Sequence, residues 1–580
     1  MAGPSKRHLR QTPMLINAHT HIFTVNSVLS REAITIMAGR LRKMGLRDFI
    51  VEAVEEILDR QLDRPEYLVE DELLVRFMSA IANTSSFKSL ARTAASLPFE
   101  VRLLSGTTDH LEVRAVRAAL DRLSSWIDAQ DGPGKSPFDV FETLRIAMQP
   151  TIPRVASKLM AHLGPDDAIV ALMMDIVADE EGDRDRRNFL GQIRGTMDAV
   201  LARPGRVLPF IAVNPGRPEH FDVMRRAIEE QGFLGVKLYP SLGYEMTTDL
   251  ILNVLAYCRE MDVPITVHCT ASGFSKDASS SGFAHPKHWL KLFTGPSDDV
   301  RVCFAHCGGW GGFCDADPDQ VEWASSVLSY MSDHPNVYAD LSYHVQMMIE
   351  GGETEKKYFA ALKKLLAGPS GDRILFGTDS WLLRLNVDDS AYWAYFQTHC
   401  TKAQFERIAG TNPRRFLGIP EAGGQPAPNI LRHLEFLERN AAAVGALPAK
   451  WVRDHSSATW SVVRGDLSWS RNNVAHVAAF NTFKTQIPPR LNKGFDESGA
   501  LRLRQLDYFG DGRKPSDNRL KTHALNLMTQ CDHYGGRPEG TYDNASIRPM
   551  LMELLGDGNR TLADLGGTLD AVYLFGSEVV

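Results

Sequence analysis

Short apolar runs that stop at a polar residue or a turn signal recur along this 580-residue chain, and between them apolar residues return every three or four positions. The runs are Met14 to Ile16, Ala168 to Met174, Val207 to Val213, Gly235 to Leu238, Pro264 to Val267, Val302 to Ala305, Val337 to Leu341 and Ile374 to Phe376. Near-continuous apolar runs without alternation are what a parallel sheet covered on both faces requires. The stretches Phe221 to Glu230 and Asp249 to Glu260 have the spacing of amphipathic helices that would cover such a sheet. One long segment departs from this rhythm. From about 30 to 162 the pattern is helical throughout, as in Arg47 to Leu58, where apolar residues recur at i, i+3, i+4 and i+7. This predicts a helical insertion after the first strand. An insertion leaving there is expected to arch over the open face, as a plain cap or as a source of specificity.

The chemistry sits where the runs end. His19 and His21 follow the first run, and an i, i+2 pair on an extended strand projects both imidazoles to one face. Lys237, His268, His306 and Asp379 each stand at or just beyond the end of a later run, where a strand gives way to a loop. Any one of them alone reads as a packed core residue. Together they match a (β/α)8 barrel, in which catalytic groups come from the carboxyl ends of several strands and converge on one face. The expected fold is therefore α/β, a (β/α)8 TIM barrel with a helical insertion after the first strand and an additional C-terminal region.

The order His-x-His, Lys, His, His, Asp resembles the amidohydrolase superfamily, and more narrowly its amidohydrolase-2 branch of metal-dependent TIM-barrel hydrolases and decarboxylases. Residues 334–342 as a penultimate strand and 408–418 as a closing helix extend the resemblance, which covers 14 to about 420. It implies His19, His21, His268 and Asp379 as ligands of one divalent metal ion. Neutral imidazoles with a carboxylate suit Zn2+, and also Fe2+, Mn2+ or Co2+; zinc is the first expectation. Asp379 would take a proton from water and pass it to a leaving group, and His306 would orient the water or polarise a substrate oxygen unless it is itself a ligand. Lys237 is either an unmodified pocket cation for an anionic substrate or, if carbamylated, a bridge between two metal ions; Gly235-Val236-Lys237-Leu238-Tyr239-Pro240 looks more like the one-metal branch. Tyr239 and Trp381, just past strand ends, are candidate substrate-pocket walls or plain packing. The expected function is hydrolysis of a C–N or C–O bond in an amide, cyclic amide or lactone. Non-oxidative decarboxylation of an aromatic or unsaturated acid is the alternative enzyme reading, and a catalytically silent binding or scaffold barrel is the alternative outside enzymes.

Composition narrows the partners. A net charge of −7 with 23% charged residues lacks the basic footprint of a nucleic-acid binder. Lys6, Arg7 and Arg10 are followed by no apolar segment of the kind a secretory signal needs, and no run of 18 apolar residues suggests a membrane span. A cytoplasmic protein with its seven cysteines reduced is expected, and Cys303, Cys307 and Cys314 read as packing because they lack a Cys-x2-Cys knuckle. The small-residue stretch 271–282 reads as a linker or a lid. Past 420 the text Gly-Gly-Gln-Pro-Ala-Pro at 423–428 marks a linker, so the expected domains are a barrel at 14–420 and a C-terminal region at 429–580. That region is left open between completing the pocket, building a homo-oligomer and binding a partner. His523, Cys531, Asp532 and His533 fit no common metal template. A barrel that closes by Gly418 predicts that a chain ending near Gly424 still folds.

Overall fold

The structure, a computed structural model, describes residues 14–460 apart from 65–66, 69, 95, 99–100, 102–112, 132–135, 177–182, 272, 276–278, 294–298, 422–423 and 443. Most of the C-terminal region, with His523, Cys531, Asp532 and His533, lies outside the described residues. Two compact units result, one made of the chain up to Met37 with 149–441 and 447–460, the other mainly of 38–148. No helix among the described residues is long and apolar enough to cross a membrane.

The second unit is helical, as its periodicity predicts. Helices α1 (Asp48–Leu62), α2 (Glu70–Asn83), α3 (Val113–Asp131) and α4 (Pro137–Ala147) turn their apolar faces inward. Phe49 meets Phe87 edge-on at 5.4 Å and Phe77 meets Phe141 at 6.0 Å. Ser136 starts α4 with a capping box, its hydroxyl accepting from the Asp139 amide. Arg47 ties the start of α1 to the end of α3 through Asp131 at 2.6 Å.

The first unit is a (β/α)8 barrel. Strands β1 (Ile16–Thr20), β2 (Ala168–Leu172), β3 (Val207–Val213), β4 (Gly235–Leu238), β5 (Ile265–His268), β6 (Val302–Ala305), β7 (Val337–Asp340) and β8 (Ile374–Leu375) pair in parallel in sequence order. Every strand residue is buried, which is why the runs do not alternate. Beyond the short β8 the chain closes against β1: Ala18 N–H donates to Phe376 O at 2.8 Å, and Asp379 N–H to His19 O at 2.9 Å. Asn17 reinforces the seam, its Nδ2 donating to Thr378 Oγ1 at 2.7 Å and its Oδ1 accepting from Thr378 N–H at 3.0 Å. Helices α5 (Asp183–Ala202), α6 (His220–Glu230), α7 (Asp249–Glu260), α8 (Pro318–Asp333), α9 (Gly352–Ala367), α10 (Asp389–His399) and α11 (Asn412–Leu417) complete the unit. Phe416 of α11 meets both Phe210 of β3, at 6.2 Å, and Tyr338 of β7, at 5.2 Å. Strands four apart in an eight-stranded ring face each other, so Phe416 plugs the barrel floor.

The chain after 420 returns to that floor. Helices α12 (Pro428–Arg439) and α13 (Lys450–His455) bond to segments that precede strands. Asn429 Nδ2 donates to Leu234 O at 3.2 Å and Leu417 O at 2.9 Å, Trp451 Nε1 to Gly205 O at 2.8 Å, and Ala449 N–H to Pro204 O at 2.9 Å. Gly232, at φ 75°, leaves room for the Phe436 ring; a Cβ there would overlap it. The linker expected at 423–428 thus leads into helices that pack on the same unit, at the amino ends of its strands.

His433 of α12 is fully buried with Nδ1 2.6 Å from Gly232 O, and burial lowers its pKa from 6.5 to about 4. Between those values the unfolded chain takes up the proton first, so stability present above pH 6.5 is lost as pH falls toward 4. The melting temperature is expected to drop over this window. His433→Asn, which keeps a donor for Gly232 O and cannot be protonated, is expected to make the drop shallower.

Candidate active site

Four strand ends and three tight loops build one buried cluster at the carboxyl end of the barrel. His19, on β1, is held at Nδ1 by Asp340 Oδ2 at 3.0 Å. His21, just past β1, has Nδ1 2.8 Å from Leu172 O at the end of β2. A carboxylate and a carbonyl only accept, so both imidazoles carry their proton on Nδ1 and present a bare Nε2. His21 Nε2 faces Asp379 Oδ1 at 3.4 Å. His19, His306 and Asp379 each offer a ligand atom within 4.8 Å of the others. His268 is outside that trio: its ring stands edge-on to His306 at 5.1 Å and stacks on Tyr239 at 4.0 Å.

The loops that deliver these groups are bent. His306, Cys307, Tyr343 and Asp379, all just past β6, β7 and β8, have φ between 45° and 62°. L residues rarely adopt that region, and each costs of order 1–3 kcal/mol unless its surroundings impose it. Here they do. His306 N–H donates to Asp340 Oδ1 at 3.0 Å, and the His306 carbonyl accepts from His344 Nε2 at 2.8 Å. His344 in turn has Nδ1 2.7 Å from the Tyr358 hydroxyl. Strain concentrated around the ionisable groups marks the site independently of their identity.

Burial governs the electrostatics. It lowers His21 to about 3, against the pull of Asp379, and His306 to about 4. It opposes ionisation of Asp379 too, but His19, His21, His306 and Lys237 outweigh it and hold that carboxyl below its ordinary value. Asp340 is likewise opposed by burial and held well below the carboxylate range, chiefly by His19. Lys237 on β4 is 1% exposed, and burial brings it down to about 8. Its Nζ has no hydrogen-bond partner among the described residues and lies 5.6 Å from the Tyr239 ring centroid.

This donor set fits a divalent cation. With His21 neutral, its Nε2 lone pair and the Asp379 carboxylate oxygen repel each other unless positive charge lies between them. Imidazole nitrogens and one carboxylate are also the ligands that zinc and its neighbours in the transition series prefer.

The sequence-expected residues His19, His21, His306, Asp379 and Lys237 come together, with His268 alongside. Tyr239 is a wall, but against His268, and its hydroxyl accepts from Phe274 N–H at 2.8 Å. That bond lays the loop after β5 over His268, where Gly273 at φ 115° leaves no space for a Cβ. Parts of this expected lid or linker, 272 and 276–278, lie outside the described residues, as does the side chain of Trp381 in the short helix Ser380–Leu383. Sequence reasoning gave no role to Asp340, Ser342, His344 or Asn17. Asp340 and Ser342 close the seventh apolar run, so the strand-end rule that singled out Asp379 applies to them equally.

A (β/α)8 barrel with histidines and carboxylates gathered at the carboxyl ends of its strands defines the class. Within it, residues 145–419 match the amidohydrolase family model. The match starts near the end of the helical unit, so His19 and His21 lie outside it. Comparison with curated proteins finds no match. Solved structures similar to the chain include a 2,6-dihydroxybenzoate decarboxylase from Rhizobium, at 18% identity over 45% of this chain and 86% of that one, TM-score 0.32. Others are a dihydroxybenzoic acid decarboxylase from Polaromonas with bound manganese, at 16% identity over 52% and 94%, TM-score 0.36, and an amidohydrolase from Burkholderia multivorans, at 14% over 44% and 84%, TM-score 0.31.

Proposed function

We propose that this protein is a metal-dependent hydrolase that cleaves a C–N or C–O bond of a small amide, cyclic amide or lactone. The observation that carries the reading is the pair of opposed lone pairs at His21 and Asp379, with His19 and His306 in the same buried cluster. In this reading His19, His21, His268 and Asp379 hold one divalent ion, zinc first. Such an ion supplies Lewis acidity toward water and a substrate carbonyl. Asp379 is ionised and buried, so its carboxylate can accept a proton from the attacking water and return it to the leaving nitrogen or oxygen. Lys237 is a buried ammonium without a hydrogen-bond partner among the described residues, and it pairs with an anionic group of the substrate. Tyr239 is the candidate wall of the pocket in this reading. The backbone strain retained at four positions around the cluster argues against a silent scaffold barrel.

The same Lys237 supports a second reading. A buried cation awaiting a carboxylate also suits non-oxidative decarboxylation, in which the product gains a proton on carbon and no solvent oxygen. Screening amides, lactones and aromatic acids, followed by a single turnover in 18O water, separates the two. One solvent oxygen in the acyl product is expected. Release of CO2, with solvent deuterium and no 18O in the product, would overturn the hydrolase in favour of the lyase.

A further inference from the structure

Ser342 Oγ lies 3.0 Å from His19 Nδ1 and 2.9 Å from His306 Nδ1, and it also makes a short hydrogen bond with Asp340 Oδ1. A hydroxyl has one proton for these three contacts. Asp340 Oδ1 also accepts the backbone amides of His306 and Ser342, each at 3.0 Å, while Oδ2 faces His19 Nδ1. An ionised carboxylate only accepts, so the Ser342 hydroxyl proton goes to Oδ1 and its lone pairs are left for the two imidazoles. The Ser342 carbonyl, 3.1 Å from His306 Nδ1, accepts as well. Every group facing either Nδ1 is therefore an acceptor, and both rings must place their proton there.

We propose that Asp340 and Ser342 are positioning residues that lock His19 and His306 in one shared tautomer, with Nδ1 protonated and Nε2 bare on both rings. The lock is a single fully buried carboxylate and one hydroxyl serving two strands, β1 and β6, from a third. It readies His19 as a ligand. It also limits His306: the neutral ring can take a proton or a cation at Nε2 but has no proton there to donate to a substrate oxygen. The inference adds residues to the metal site proposed above, and the tautomer itself can be read without metal.

The test is 15N NMR of metal-free protein labelled at histidine, with His19 and His306 assigned by the signals lost in His19→Asn and His306→Asn. Both rings are expected to carry the proton on Nδ1; a proton on Nε2 of either overturns the lock, and this measurement stands even if every Asp340 variant fails to fold. Asp340→Asn offers an amide donor to groups that need an acceptor. It is expected to move the His19 proton to Nε2 and to weaken Zn2+ binding, measured by chelator competition, by about 10- to 100-fold. Wild-type tautomers in Asp340→Asn would overturn the proposal. Two Nδ1 protons in a wild-type protein that binds no Zn2+ would uphold the lock and overturn the metal reading.

Discussion

Alanine at His21 is expected to reduce the metal content of protein grown with added zinc or manganese from about one equivalent to less than about a tenth, as elemental analysis would read it. His21 is the sharpest of the proposed ligands to remove. Its Nδ1 is tied to a backbone carbonyl, so the substitution leaves the Asp340 network intact while deleting the Nε2 that faces Asp379. His268→Ala and His306→Ala decide the fourth ligand. The order of strands assigns that place to His268, so His268→Ala should lose metal as His21→Ala does and His306→Ala should keep it. The reverse would follow from the trio of His19, His306 and Asp379 acting as ligands together. Lys356→Ala, at a side chain about three-quarters exposed, is expected to leave metal unchanged. Undiminished metal in His21→Ala would sink the assignment. Asp379→Asn should also cost at least roughly a hundredfold in turnover, as removal of a general acid/base does.

The barrel was legible because a parallel strand must be apolar on both faces, and such runs stand out between helical stretches. The ionisable residues at its strand ends were legible because a charged or basic group ending an apolar run is costly to bury without a purpose. Asp340 and Ser342 obey the same rule but were read only as part of a strand. No pattern along the chain says that one carboxylate reaches a backbone amide 34 residues away and a ring 321 residues away. The strained loops were not legible at all, since a positive φ at His306 or Asp379 is imposed by tertiary bonds rather than by the residue itself. Past 420, Gly, Pro and Gln in the text look like a domain boundary. Composition reports a flexible connection and is silent about where the next helix docks.

A chain ending at Gly424 is therefore expected to lose soluble expression, whereas one ending at 460 keeps a folded barrel. The shorter chain lacks α12 and α13, and with them the buried side chains of Ile430, Leu434, Phe436, Leu437, Trp451 and Val452. Each large apolar side chain withdrawn from water contributes about 1.5–3 kcal/mol. Six together match the whole stability of about 5–15 kcal/mol typical of a folded protein. Truncation also strips Asn429 from the carbonyls of Leu234 and Leu417, leaving acceptors at the barrel floor to be resolvated. Asn429→Ala in the full chain tests the polar part separately, with a lowered melting temperature and metal content retained. A soluble chain ending at 424 that binds metal like the full protein would show that the floor of the barrel closes with Phe416 alone.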